Sequence, residues 1–147
     1  MRKFIVGIDP DSQKSGVAIY EPETKSIELF NYSLPELIVR LIQFNSNPEN
    51  DVFVRIEAGW LNSSNWHVGY KDSRAVAAKK GYNVGSNHQT GKHIVEFCEL
   101  YKIKHEIVKP LSLRPWGGAK ISHEKISGII KNFPKRSNQE QRDAALL

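Results

Sequence analysis

A chain of 147 residues, 39% of them hydrophobic, is long enough to bury one real core and is expected to form a single domain over residues 1–147. No apolar run approaches the roughly 20 residues that cross a bilayer, and the opening Met1-Arg2-Lys3 leads into a strand pattern, which argues against a membrane span or signal peptide. The net charge of +5 favours a polyanionic partner.

Residues 3–9 and 15–21 read as apolar strands joined by a polar loop with Asp11, Ser12 and Ser15, and residues 25–32 continue as a third strand, making a three-strand meander. The first strand ends on Asp9. An ionised carboxylate beside a core costs several kcal/mol unless it is paired or bound to metal, so Asp9 requires a partner. Leu34, Leu37, Ile38, Leu41 and Ile42 then recur at helical spacing over 34–44, with Ser33 as N-cap, Pro35 early and Glu36 in the first turn. After loop chemistry at 45–50, residues 52–57 form a short apolar strand that also ends on a carboxylate, Glu57.

Residues 58–87 mix Gly, Asn and Ser with Trp60, Trp66, His67 and Tyr70 around a short helix at 72–80, the least regular part of the chain. A second helix is expected over 90–102 through Ile94, Phe97, Cys98 and Tyr101, then a fifth strand over 104–108 that Pro110 stops. Cys98 is the single cysteine, so an internal disulfide is excluded; it reads as core filler in a reducing compartment. Residues 122–131 carry a capping Ser and an apolar stripe of Ile126, Ile129 and Ile130, and Ser137 or Asn138 caps a last helix. His88 and His93 stand too isolated to read as ligands. The acids are concentrated from Asp9 to Glu57, while the middle and later chain is rich in Lys and Arg, including Lys71, Arg74, Arg114 and Lys125.

Asp143, in Arg142-Asp143-Ala144-Ala145, is a third acid bordering an apolar element. If the two acid-tipped strands are neighbours and the last helix crosses their ends, the three converge, and their repulsion raises their pKa values unless divalent cations neutralise them. Glu140, three residues before Asp143, shares that face of the helix as a fourth ligand. Hard oxygen donors select Mg²⁺ or Mn²⁺ over zinc, and two such ions activate water and stabilise the leaving oxygen of a phosphodiester.

Gly7-Ile8-Asp9-Pro10-Asp11-Ser12 followed by Gly16 resembles the first motif of the RuvC family of Holliday junction resolvases, within the ribonuclease H-like superfamily. Arg142-Asp143-Ala144-Ala145 is similar to the last motif, and the order of elements agrees over nearly the whole chain. The resemblance implies an α/β fold with a ribonuclease H-like mixed five-stranded sheet, an antiparallel meander plus two parallel strands, flanked by helices. It implies an endonuclease making paired symmetric incisions in four-way DNA junctions during recombination and repair, with Asp9, Glu57 and Asp143 as catalytic metal ligands. Two Mg²⁺ ions per site, replaceable by Mn²⁺, are the implied cofactors, and a two-fold homodimer the implied assembly. Glu140 stands where the family has a further acid or a histidine. The stretch from Val108 to Lys125 is similar to the family segment that supplies cations beside the scissile phosphate, with Arg114 and Lys125 at fitting spacing; solvated helix charges are the alternative. Pro115-Trp116 departs from that pattern. The family's last helix usually continues, whereas this sequence ends four residues after Asp143. A cytoplasmic, nucleoid-associated protein of a bacterium, phage or mobile element follows from the same resemblance.

Trp60, Trp66, His67 and Tyr70, interleaved with Lys71 and Arg74, are expected to stack on unpaired bases and grip phosphates, the alternative being core or dimer contacts. Three other functions compete. A nuclease of this fold acting on other branched DNA or structured RNA shares every residue above. An actin- or Hsp70-type nucleotide-binding domain has a similar first motif but needs two lobes and a second Gly-rich phosphate loop. A non-catalytic junction-binding protein gains nothing from carboxylates aimed at phosphates.

Overall fold

Alternating apolar and polar residues favour strands with one buried face, and the computed structural model, which describes residues 1–62, 69–111 and 120–147, pairs them into one sheet. Strands β1 (Arg2–Asp9), β2 (Ser15–Glu21) and β3 (Ser26–Tyr32) form the antiparallel meander. Strand β4 (Asn50–Glu57) runs parallel to β1, and β5 (His105–Val108) parallel to β4, giving the order β3-β2-β1-β4-β5. This is the mixed five-stranded sheet expected, an antiparallel meander plus two parallel strands.

Val6, Ile8, Val52, Val54 and Ile56 project from one face of β1 and β4 into the main core, where Leu37 and Leu41 meet them from α1 (Leu34–Ser46). Ile94 and Cys98 complete it from α2 (Arg74–Leu100). Each such side chain, fully buried, contributes ~1.5–3 kcal/mol. The start of α1 is fixed by Glu36, whose carboxylate accepts from the Ser33 backbone N–H at 2.9 Å and from its hydroxyl at 2.8 Å.

The two helices expected at 72–80 and 90–102 are one continuous helix of 27 residues. It starts where the Ser73 hydroxyl accepts from the Val76 N–H at 3.3 Å. Gly81, Gly85 and Gly91 each weaken a helix by ~1 kcal/mol and so read as breakers, yet packing requires the last of them. A methyl group at Gly91 would lie 2.5 Å from the Trp60 ring. Only the inner half of α2 is anchored in the core. Toward its start Arg74, Val76, Lys79, Lys80 and Tyr82 are all exposed, Tyr82 at 75%.

The opposite face of the sheet carries α4 (Gln139–Ala145), which crosses β1 and β2. Close approach is possible because the strands present glycines beneath it. A methyl at Gly7 would lie 2.1 Å from the Ala144 carbonyl oxygen, and one at Gly16 2.3 Å from the Glu140 backbone. The short α3 (His123–Ile129) precedes it and buries Ile126. Among the described residues, no helix is long and apolar enough to cross a membrane.

Candidate active site

The parallel register that pairs Ile8 with Ile56 brings the next residues, Asp9 and Glu57, side by side at the carboxyl ends of β1 and β4. Because α4 lies on that same face, Asp143 reaches the pair from above. The three acids line one cleft of about 440 Å³, together with Trp60, Asn87 and Lys120. Sequence positions 9, 57 and 143 thus meet through strand pairing and one helix crossing.

The β1–β2 loop forms a rigid lip to this cleft. Asp11 Oδ1 accepts from the backbone N–H groups of Gln13 at 2.8 Å and Lys14 at 3.3 Å, while the Asp11 N–H donates to Ser15 Oγ at 3.1 Å. Asn87 of α2 pins the loop from the other side: its Oδ1 accepts from the Ser12 N–H at 2.9 Å, and its Nδ2 donates to Asp11 Oδ2 at 3.2 Å.

Electrostatically the site is strained towards protonation. Burial, then the charges of Glu57, Asp143 and Glu140, push the Asp9 carboxyl up to about 8, with Lys120 pulling the other way. Glu57 is raised too, by burial first and then by Asp143. Neither Asp9 nor Glu57 has a hydrogen-bonding partner for its carboxylate among the described residues. Asp143 is better served: Lys120 Nζ donates to its Oδ2 at 2.6 Å and Gln139 Nε2 to its Oδ1 at 2.7 Å. Burial disfavours the Lys120 ammonium, but the hydrogen bond to Asp143 and the charges of Asp143, Asp9 and Glu57 hold its pKa above the usual value.

Arg142 keeps Lys120 in place. Its guanidinium donates to the carbonyls of Ile121 at 3.0 Å and Ser137 at 2.8 Å, and to Gln139 Oε1 at 3.0 Å. The segment beginning at Lys120 is thereby tied to α4 one residue from Asp143.

The donor set suits a hard divalent cation: partly buried carboxylates, two of them without donors among the described residues, which burial and repulsion destabilise as anions. Among the described residues, however, no group of three His, Cys, Asp or Glu side chains is arranged to hold a metal ion. Lys120 supplies the positive charge instead. Metal loading at Asp143 therefore requires the ammonium to release Oδ2. Replacing Lys120 with Gln is expected to cost the metal-free protein ~1 kcal/mol, the pair being partly solvated. The same variant should gain more thermal stability from added Mn²⁺ than the parent does; a smaller gain in thermal melts would contradict the exchange.

Asp9, Glu57 and Asp143 are thus brought together as expected. Glu140 lines a neighbouring groove with Asp11 and Lys14 instead of the carboxylate cleft, although its charge still raises Asp9. A three-residue step along a helix leaves side chains about 60° apart, enough to send them to adjacent grooves. Lys125 is exposed in the first turn of α3, and its N–H donates to the Ser122 hydroxyl at 3.3 Å. Tyr70, Lys71 and Arg74 are exposed around the start of α2. Trp60 packs its ring against Gly91 at the edge of the cleft, while Trp66, His67 and Arg114 lie outside the described residues.

Three lining residues escaped the sequence reading, Asn87 of the lip among them. Lys120 follows a Gly-rich stretch with nothing local to tie it to an acid 23 positions later; a cation just before the Ile121-Ser122 helix start was the available signal. His88, read as isolated, lines the cleft edge-on to Trp60, with ring centroids 6.5 Å apart.

No protein-family model matches the chain, and no curated protein matches it. Among solved structures it is similar to T. thermophilus RuvC in complex with a Holliday junction substrate, at 14% identity and a TM-score of 0.48, over 96% of this chain and 87% of that one. At this identity nothing about substrate carries across.

Proposed function

We propose that this chain is a divalent-metal-dependent endonuclease that hydrolyses phosphodiester bonds in four-way DNA junctions by paired symmetric incisions, acting as a homodimer. The observation that carries this reading is the meeting of Asp9, Glu57 and Asp143 in one cleft from three separate elements, with a cation, Lys120, among them. Carboxylates gathered at a cost to stability mark a site kept for chemistry. The motifs around Asp9 and Asp143 point to the junction-resolving branch of the fold.

In this reading Asp9, Glu57 and Asp143 hold Mg²⁺ or Mn²⁺, and Glu140 orients the site from the adjoining groove. When bound, such ions supply Lewis-acid activation of water and stabilise the departing oxygen. Once it releases Asp143, Lys120 is free to grip a non-bridging phosphate oxygen and offset the charge that builds in the transition state. The hydrogen bonds of Asn87 keep the lip beside Asp9 fixed while the strand is cut. Lys71, Arg74, Lys125 and Arg114 hold the backbone of the junction arms, and Tyr70 and Trp66 stack on unpaired bases.

The test is a substrate panel of four-way junction, flap, duplex and structured RNA, with and without Mg²⁺, using the parent protein and Asp143→Asn. Paired cuts at symmetric positions on the junction, dependent on metal and lost in the variant, are expected. Metal-free cutting, or cutting unchanged in the variant, would sink the proposal, and preferential cutting of flap or RNA would redirect it to another substrate.

A further inference from the structure

Beside the carboxylate cleft runs a second groove of about 760 Å³, from which the reaction above uses only Glu140 and Asn87. Its lining is rich in side-chain amides: Gln13 from the β1–β2 loop, Asn31 from β3, Asn83 and Asn87 from α2, and Asn138 at the cap of α4. Asn87 lines both clefts, so the two form one continuous surface.

The chemistry of this wall is specific. Among the described residues its formal charges are Lys14 against Asp11 and Glu140, a net negative set that does not attract phosphates. Among the described residues no aromatic ring lines it either, so their part of the wall lacks both features by which proteins hold single strands without regard to sequence. Amides, which pair a donor with an acceptor, match the edges of bases, as Asn and Gln do with adenine, and a carboxylate such as Glu140 accepts from the cytosine amino group.

Not every amide is free for this. Asn31 and Asn138 bond to each other at 2.7 Å, and Asn87 is committed to the loop. The amide groups of Gln13 and Asn83 have no partner among the described residues and face the same groove from the loop and the helix.

We infer that this groove reads bases: it takes nucleotides next to the scissile phosphate by their edges, and Gln13 and Asn83 are specificity-determining residues, an inference that rests on the nuclease reading. The cleft cuts and the groove selects where.

Binding without cutting tests it. In an Asp9→Asn background, four-way junctions randomised in the nucleotides flanking the crossover are bound, recovered and sequenced. Enrichment of particular bases at one or two positions is expected. Gln13→Ala and Asn83→Ala, at exposed sites, should reduce that enrichment about tenfold while total affinity changes less than about threefold. Lys79→Ala on exposed α2 should weaken all sequences alike. A flat pool from the parent, or enrichment that survives both amide substitutions, overturns the inference. The nuclease reading fails separately, by absence of Mg²⁺-dependent cutting in the unmutated protein, and base enrichment is measured whether or not that happens.

Discussion

Asp9→Asn is expected to abolish junction cleavage in Mg²⁺, by ~10³-fold or more, while leaving binding intact and making the metal-free protein more stable at pH 8. The two effects have one cause. Asp9 is held at about 8 against an ordinary 3.8, so the folded protein keeps a proton that the unfolded chain releases. Stability therefore falls as pH rises from ~4 to ~8 and levels off above. At ~1.4 kcal/mol per unit this sets a ceiling of ~6 kcal/mol, and water in the open cleft screens part of it, leaving ~2–3 kcal/mol. Asn cannot ionise and escapes the penalty. Denaturant titrations at pH 5 and pH 8 should show the variant's advantage at the higher pH alone. Added Mg²⁺ should stabilise the parent most at pH 8 and the variant far less. An Asn variant that still cuts, or whose stability tracks the parent at both pH values, would remove Asp9 from the centre of the site.

The second large effect is steric and lies away from the charges. Gly7→Ala drives a methyl to 2.1 Å from the Ala144 carbonyl, a separation no packed methyl tolerates, and both atoms belong to rigid elements. Either α4 lifts or β1 bends, at ~3–4 kcal/mol. Lifting α4 also moves Asp143, and a misplacement of ~1 Å costs about a hundredfold in rate. Loss of stability accompanied by slow single-turnover cleavage in the surviving folded protein is the expected pair. Gly85→Ala is the contrasting substitution. Nothing lies within 4 Å of a methyl there, so the helix should gain ~0.5–1 kcal/mol and cleavage should stay unchanged. If Gly7→Ala were as harmless as Gly85→Ala, α4 would not be seated as described.

What could be read from the chain, and what could not, divides along the range of the interactions. The meander and α1 are local: alternation fixes the strand faces, and Ser33 with Glu36 marks a helix start within four residues. The three acids were readable because each borders an apolar stretch, an anomaly visible without a partner. The continuity of α2 was not, since Gly81, Gly85 and Gly91 argue locally against a helix, and the Trp60 ring that calls for the last of them lies 31 residues earlier. Gly7 and Gly16 look like ordinary strand glycines until α4 lies on them. The Lys120–Asp143 pair depends on Arg142 tying the Ile121 carbonyl to α4, a link that no periodicity announces.

The length of α2 has a mechanical side. Cys98 and Ile94 clamp one end of the rod in the core, and Arg74 stands ~36 Å along the axis from Cys98, at 1.5 Å per residue. Between them sits Asn87, whose amide grips the loop that borders Asp9. The helix is thus a beam anchored in the hydrophobic interior at one end and bonded to the β1–β2 loop part-way along. In the proposed reading, where DNA contacts Arg74 at its outer end, one continuous helix joins that contact to the loop that borders Asp9.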